Sequence, residues 1–253
     1  MSVLSAVNLT VSLGSRRVLD RVGIHLEPGV MLVAGRNGAG KTTLFTVLAG
    51  VRRPDSGEVW LEERRLPAIP PRQRGQRVTL IPQDTDSPFE FTGRELVMMG
   101  RYPHVPRWRE PAKDDHALVE EALRLVDGTA FADRPVSTLS GGERRRIVIA
   151  RALATRAPII LADEPTANLD LEHALAILSV LRRLADQGHT VAIASHDLNL
   201  CAPWADRVML LHESRVYCDD LPEQALSAGR VREVFGVRSD DPSGFFPRSF
   251  GPG

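Results

Sequence analysis

The chain carries Gly35-Arg36-Asn37-Gly38-Ala39-Gly40-Lys41-Thr42, a glycine-rich run closed by a lysine and a hydroxyl residue. Each residue type has a use around a polyphosphate. Glycine has no Cβ, so successive backbone N–H groups can turn toward one anion. A helix starting at the end of the run adds free N–H donors and a partial positive charge. Lys41 can reach terminal phosphate oxygens, and the Thr42 hydroxyl can ligate Mg²⁺. A glycine-rich turn before an ordinary helix needs no lysine. Here the lysine stands out, because Lys41 and Lys113 are the only lysines among 32 basic residues. The run points to nucleotide binding without saying which NTPase.

A second constellation is Ile159-Ile160-Leu161-Ala162-Asp163-Glu164, an apolar strand ending in two carboxylates. A carboxylate at the C-terminal end of a buried strand is placed to hold Mg²⁺ near a phosphate loop. Its neighbour points elsewhere and can polarise an attacking water. That assigns Asp163 to the metal and Glu164 to the water. Ser140-x-x-Glu143 has capping-box spacing, so Ser140 satisfies an N–H of the following helix. With Gly141 and Gly142, the same helix start is also a second anion cradle. Taken alone, His196 reads as a core histidine and Gln83 as a polar residue after a proline.

The elements that must position these groups follow from periodicity. Residues 30–34, 158–162 and 190–195 read as buried strands. A helix is predicted from near Lys41. Another lies between the last two strands, with Ala174, Ile177, Leu178, Leu181 and Leu184 at helical spacing and Gly188 at its end. Strand, helix, strand is the unit of a parallel α/β fold. The first ~30 residues and residues 57–82 look different. Residues 59–61 and 77–81 are short and separated by turn residues, as in an antiparallel sheet. Residues 112–127 form a helix with Leu118, Ala122 and Leu125 on one face, and Pro103, Pro106 and Pro111 break the chain before it. Residues 84–153 read as an inserted helical subdomain. Residues 240–253, rich in Pro, Gly and Ser, read as loosely ordered.

Composition narrows the partners. The 253 residues are 43% hydrophobic and 25% charged, ordinary for a globular protein of one or two domains. Basic and acidic residues balance at 32 each, which speaks against a general nucleic-acid binder. Two cysteines are too few for a disulfide framework and read as free thiols. No apolar run is long enough to span a membrane and no secretory leader is evident. The expectation is a cytosolic chain, held at a membrane only through a partner.

Further pieces carry a resemblance. Leu139-Ser140-Gly141-Gly142-Glu143 resembles the signature sequence of ATP-binding cassette (ABC) transporters, ahead of the acidic strand as in that family. Asn168-Leu169-Asp170 resembles its D-loop. His196, in Ala194-Ser195-His196-Asp197, resembles its switch histidine, and Gln83, in Ile81-Pro82-Gln83, its Q-loop glutamine. The motifs keep the family's order from Gly35 to His196, and the resemblance spans about residues 3–237.

The resemblance implies a P-loop NTPase (RecA-like) α/β core with an antiparallel β subdomain and an inserted α-helical subdomain. Residues 1–237 would form one ABC ATPase domain and 238–253 a short tail. It implies ATP and Mg²⁺ as cofactors. The nucleotide would be contacted by Gly35 through Thr42, by Thr43, and by Gln83, Asp163, Asp170 and His196. Thr42, Gln83 and Asp163 would hold the metal, and Glu164, His196 and Lys41 would carry catalysis. Ser140, Gly141 and Gly142 would serve the ATP of a second copy bound head to tail. Residues 89–109 would transmit motion to membrane permease subunits at the cytoplasmic face of the cell membrane. A substrate-binding protein would act indirectly, and no nucleic acid is implied.

Finer segments resemble importers of iron–siderophores, haem and cobalamin. These are Gly100-Arg101-Tyr102-Pro103-His104, Asp133-Arg134-Pro135, Thr138-Leu139-Ser140-Gly141-Gly142-Glu143, and His196-Asp197-Leu198-Asn199-Leu200 with Ala205-Asp206-Arg207. Leu169-Asp170-Leu171-Glu172-His173 matches less closely.

The chain departs from the family pattern in places. Leu13 stands where an aromatic residue commonly stacks on adenine, which predicts weaker ATP affinity or looser base preference. Arg36 stands where proline is common and is expected to face solvent. Arg145 stands where glutamine is common. The run Arg144-Arg145-Arg146 spreads over different faces of a helix and is expected to form salt bridges and surface. The rivals are a soluble ABC-type ATPase acting on ribosomes or DNA, an exporter subunit, and a binding-only subunit. A single cassette without sustained heptads, the importer-like segments, and the retained Lys41, Glu164 and His196 speak against each in turn.

Overall fold

The computed structural model describes residues 3–84 and 91–236. The predicted tail, the domain limit at residue 237, and the start of the 89–109 segment lie outside the described residues.

The strands are β1 (Leu4–Leu13), β2 (Arg16–Leu26), β3 (Gly29–Gly35), β4 (Ser56–Leu61), β5 (Arg64–Arg65), β6 (Val78–Ile81), β7 (Ile159–Asp163), β8 (Thr190–Ser195), β9 (Arg207–His212) and β10 (Arg215–Asp220). The helices are α1 (Lys41–Leu48), α2 (Pro71–Gly75), α3 (Gly93–Met98), α4 (Lys113–Leu125), α5 (Gly141–Ala154), α6 (Leu171–Asp186), α7 (Leu198–Cys201), α8 (Pro222–Ala225) and α9 (Ala228–Phe235). Two sheets form. One is antiparallel, in the order β2-β1-β4-β5; the other runs β10-β9-β3-β8-β7-β6. In the second, β9, β3, β8, β7 and β6 are mutually parallel, with β10 antiparallel at one edge.

The large sheet is covered on both faces, and its side chains sort by strand alternation. Val30, Leu32, Ile160, Val191 and Ile193 join one core with α5 and α6. Met31, Val33, Ile159, Leu161 and Ala192 join another with Leu44, Phe45 and Leu48 of α1 and the antiparallel sheet. Each large apolar side chain buried this way contributes roughly 1.5–3 kcal/mol. The apolar run of β7 ends in the buried carboxylates Asp163 and Glu164.

Two sequence expectations change. Residues 77–81 do not belong to the antiparallel sheet: β6 pairs in parallel with β7 at the edge of the large sheet. Its shortness suggested a hairpin strand, but Val78, Thr79 and Ile81 are all buried, the mark of a strand covered on both sides. In α4 the buried face is Val119, Ala122 and Leu123 rather than Leu118, Ala122 and Leu125, because the helix packs mainly on α3 and α5. Gly100, just after α3, lets the chain pass close to α5, since a Cβ there would sit 2.2 Å from the Arg151 carbonyl oxygen.

Candidate active site

The neighbours β3, β8, β7 and β6 all end on the same side of the sheet, and each end delivers part of the site. Ligands in open α/β sheets bind at this carboxyl edge. From β3 comes the phosphate loop, from β8 His196, from β7 Asp163 and Glu164, and from β6 Gln83.

The loop is built by its glycines. Gly38 and Gly40 have φ of 80° and 105°, the left-handed region in which a side chain is strained. A Cβ on Gly40 would also lie 2.5 Å from the Val18 carbonyl oxygen. Gly40 caps α1 with no side-chain hydrogen bond, so the first N–H groups of the helix stay open to a ligand. Lys41 lies beneath the loop, 6% exposed, and its Nζ donates to Gly35 O at 2.8 Å. Burial lowers its pKa, while the charges of Glu164 and Asp163 act against that. The Thr42 hydroxyl donates to Gln83 Oε1 at 3.3 Å. Arg36 is exposed, as expected.

The two carboxylates of the acidic pair have different surroundings. Asp163, 2% exposed, is hydrogen-bonded through Thr42, yet its Oδ1 is buried without a hydrogen-bond partner. Burial raises its carboxyl pKa; the Thr42 hydrogen bond and the cations Lys41 and Arg145 pull it back. Glu164 is 5% exposed and takes φ 49°, a left-handed conformation. His196 Nδ1 lies 2.9 Å from Glu164 Oε1, and the Ser195 hydroxyl donates to Oε2 at 3.5 Å. The Glu164 N–H donates to Ala194 O at 2.9 Å, which joins β7 to β8 beyond the last strand pair.

An open cleft of ≈ 530 Å³ runs across these groups, bordered by Leu13, Arg16, Gly38, Lys41, Glu164 and His196. Leu13 stands at its rim, 43% exposed. Sequence reading missed Arg16, whose Nη2 donates to Gly38 O at 3.2 Å. Its proximity depends on the β1–β2 hairpin, where Leu13 and Arg16 are cross-strand partners.

Other predicted residues stand apart from this cleft. Ser140 caps α5 in a full capping box: its Oγ accepts from the Glu143 N–H, and Glu143 Oε2 accepts from the Ser140 N–H at 2.8 Å. Asp170 caps α6, accepting from the His173 N–H at 2.9 Å. Neither they nor Gly141 and Gly142 border the chain's own cleft. They lie together instead: a Cβ on Gly142 would be 3.2 Å from Asn168 O. The two segments form one exposed surface.

The expectation for Arg145 is overturned. It is 1% exposed and donates to the carbonyl oxygens of Asp163, Glu164, Pro165, Pro82 and Gln83. A signal was available: Arg145 precedes the buried Val148 and Ile149 by three and four residues, so it shares their helix face. Arg144 and Arg146 do point elsewhere. Arg144 donates to Leu139 O at 3.3 Å, and Arg146 stacks 4.8 Å over the Phe131 ring.

The chain is similar to known proteins over most of its length. The family model described as ABC transporter matches residues 19–167. The chain is 41% identical over 235 residues to the hemin import ATP-binding protein HmuV of Rhodococcus jostii, covering 92% of this chain and 80% of that one. It is 38% identical over 237 residues to the cobalamin import ATP-binding protein BtuD of Halobacterium salinarum, covering 93% of this chain and 59% of that one. A solved structure assigned as an inward-facing metal-chelate type ABC transporter superposes with a TM-score of 0.80 at 29% identity, covering 94% of this chain and 90% of that one. The span matched by the family model includes the phosphate loop, the acidic strand end and the helix capped by Ser140, and the chain is a member of the ABC transporter family, an ATP-binding and ATP-hydrolysing subunit.

Proposed function

We propose that this subunit powers import of a metal chelate of the haem, iron–siderophore or cobalamin class, working as a head-to-tail pair on membrane permease subunits. The observation that carries the catalytic reading is the meeting of Lys41, Glu164 and His196 at the ends of three adjacent strands in one cleft.

In this reading the N–H groups of Gly38, Ala39, Gly40, Lys41, Thr42 and Thr43 surround the phosphates, with Gly35, Arg36 and Asn37 shaping the loop. Lys41 Nζ exchanges its loop carbonyls for phosphate oxygens. Glu164 accepts a hydrogen bond from the attacking water and polarises it. His196, bonded to Glu164 Oε1, fixes that carboxylate and stabilises charge on the departing phosphate. Mg²⁺ fits the donor set: the unpartnered, buried Asp163 Oδ1, the Thr42 hydroxyl and Gln83 Oε1 are all oxygens, as a hard cation prefers. When bound, it supplies neutralisation of charge on the phosphate oxygens.

Two surface features support the partners. The surface of Ser140, Gly141, Gly142 and the Asn168–Asp170 turn does not border the chain's own cleft, and in this reading it serves the cleft of a second copy. Leu171 beside it is 60% exposed, an apolar residue left for that contact. On the helical insert, Tyr102 and Trp108 are 58% and 94% exposed. They adjoin the 100–104 segment, where Arg101 donates to Ala154 O at 2.7 Å and Arg72 to Pro103 O at 2.9 Å. A permease pressing on this face would move α2 and α5 together. Among the described residues no helix is long and apolar enough to cross a membrane, so the membrane-spanning part is assigned to the permease.

Glu164→Gln tests the chemistry. It preserves shape and removes the charge, so turnover should fall about 10²–10⁴-fold while ATP still binds and an ATP-bound dimer accumulates in light scattering. Turnover near wild type would refute the role of Glu164. Co-purification with a permease and hemin-dependent ATPase stimulation test the cargo class.

A further inference from the structure

Arg145 is the largest fully buried side chain among the described residues, and its environment is unusual for a cation. Among the described residues its hydrogen-bond acceptors are backbone carbonyls and include no carboxylate oxygen. Nη2 donates to Asp163 O at 2.7 Å and to Glu164 O, Nε to Pro165 O at 3.2 Å, and Nη1 to Pro82 O and to Gln83 O at 3.3 Å. The planar fork of a guanidinium can hold such divergent acceptors at once; an ammonium cannot.

The gripped segments are those that meet the nucleotide. Asp163, Glu164 and Pro165 surround a residue at φ 49°, a conformation that costs a non-glycine residue free energy and persists only when its surroundings enforce it. Gln83 follows β6 and reaches Thr42. Arg145 itself sits one turn into the helix capped by Ser140. One side chain thus joins three pieces: the helix presented to a second copy, the strand end carrying Glu164, and the segment carrying Gln83. Burial pulls the Arg145 pKa down to about 10, with Asp163 and Glu164 acting to raise it, so the guanidinium stays charged at neutral pH.

We infer that Arg145 is a positioning residue for ATP hydrolysis: it holds the Glu164 backbone and the Gln83 carbonyl in fixed register with the signature helix. The inference rests on the reading that Glu164 and Gln83 serve the terminal phosphate.

The test compares Arg145→Met, Arg145→Lys and Glu164→Gln in the purified full chain. Binding of ADP by calorimetry gives stoichiometry and Kd; steady-state hydrolysis at saturating ATP gives kcat; thermal unfolding checks the fold. The expected result for Arg145→Met is one ADP bound per chain, Kd within about 2-fold of wild type and kcat lower by at least 10-fold, since misplacement of a reacting group near 1 Å costs up to ~10²-fold. Arg145→Lys keeps the charge without the fork, and its kcat should also fall. It tests the inference even if the methionine variant fails to fold. Full kcat in Arg145→Lys, or kcat and ADP affinity lost in parallel, would overturn the inference. Loss of turnover in Glu164→Gln with unchanged turnover in the Arg145 variants would overturn it alone. Wild-type turnover in Glu164→Gln would instead overturn the reading beneath it.

Discussion

Replacing Leu13 with tyrosine should tighten nucleotide binding, by an amount the structure constrains. Leu13 ends β1 at the rim of the cleft, 43% exposed, opposite Arg16, whose guanidinium is fixed on Gly38 O at 3.2 Å. A leucine there offers apolar contact but no π-face. A stacked base–aromatic contact is worth ~1–3 kcal/mol. Immobilising the new side chain costs about 0.5–1 kcal/mol. At the middle of both ranges the net gain of ~1.2 kcal/mol corresponds to a Kd lower by about 8-fold. The fold should not object, because tyrosine is at home in strands and the position is open to solvent. Calorimetric titration of ADP into wild type and Leu13→Tyr measures the gain directly. Every base has a π-face, so GDP should gain about as much as ADP. A Kd within twofold of wild type, or a gain for ADP with none for GDP, would refute the placement of Leu13 beneath the base.

Two further expectations concern ionisable groups away from the cleft. Asp115 and Arg101 form a pair 2.8 Å apart, with side chains 15% and 8% exposed. The Arg101 hydrogen bond holds the Asp115 carboxyl below its usual 3.8, so its contribution is complete above that pH and lost as pH falls through the lower folded value. Asp115→Asn should cost about 2–3 kcal/mol at pH 7. The gap to wild type should narrow below pH ~4 in denaturant titrations, and a constant gap down to pH 3 would refute the pairing. Burial pushes the Cys201 thiol up to about 12, whereas Cys218 is half-buried on β10. Alkylation at pH 8 should label Cys218 in the native chain and Cys201 only on unfolding; equal rates would count against this burial.

Much of the site was readable in the residue order because its requirements are local. A loop needing φ of 80° and 105° demands glycine at those places, and Gly38 and Gly40 supply it. Ser140 and Glu143 satisfy each other within one helical turn. The apolar run before Asp163 announces a strand covered on both faces, which β7 is. By contrast, β6 read as part of an antiparallel sheet. Its four residues carry too little pattern to reveal a partner that begins 81 residues later in sequence, as Val78 pairs with Ile159.

Arg145 marks the limit most clearly. By residue type it belongs on the surface, and its two arginine neighbours make that reading stronger. Its acceptors lie 18 to 63 residues away and are main-chain oxygens, which have no residue identity to read. Arg16 was hidden for the same reason, since its acceptor is the backbone of Gly38, 22 residues on. The residue order by itself determined the phosphate loop, the acidic strand end, the capped signature helix and the family to which they belong. Each of these is written in side chains and backbone needs a few residues apart. Only the tertiary structure decided which carbonyls would surround Arg145, where β6 would pair, and that Ser140, Gly141 and Gly142 do not border the chain's own cleft. Those outcomes depend on backbone groups common to every residue, and folding alone determines which of them meet.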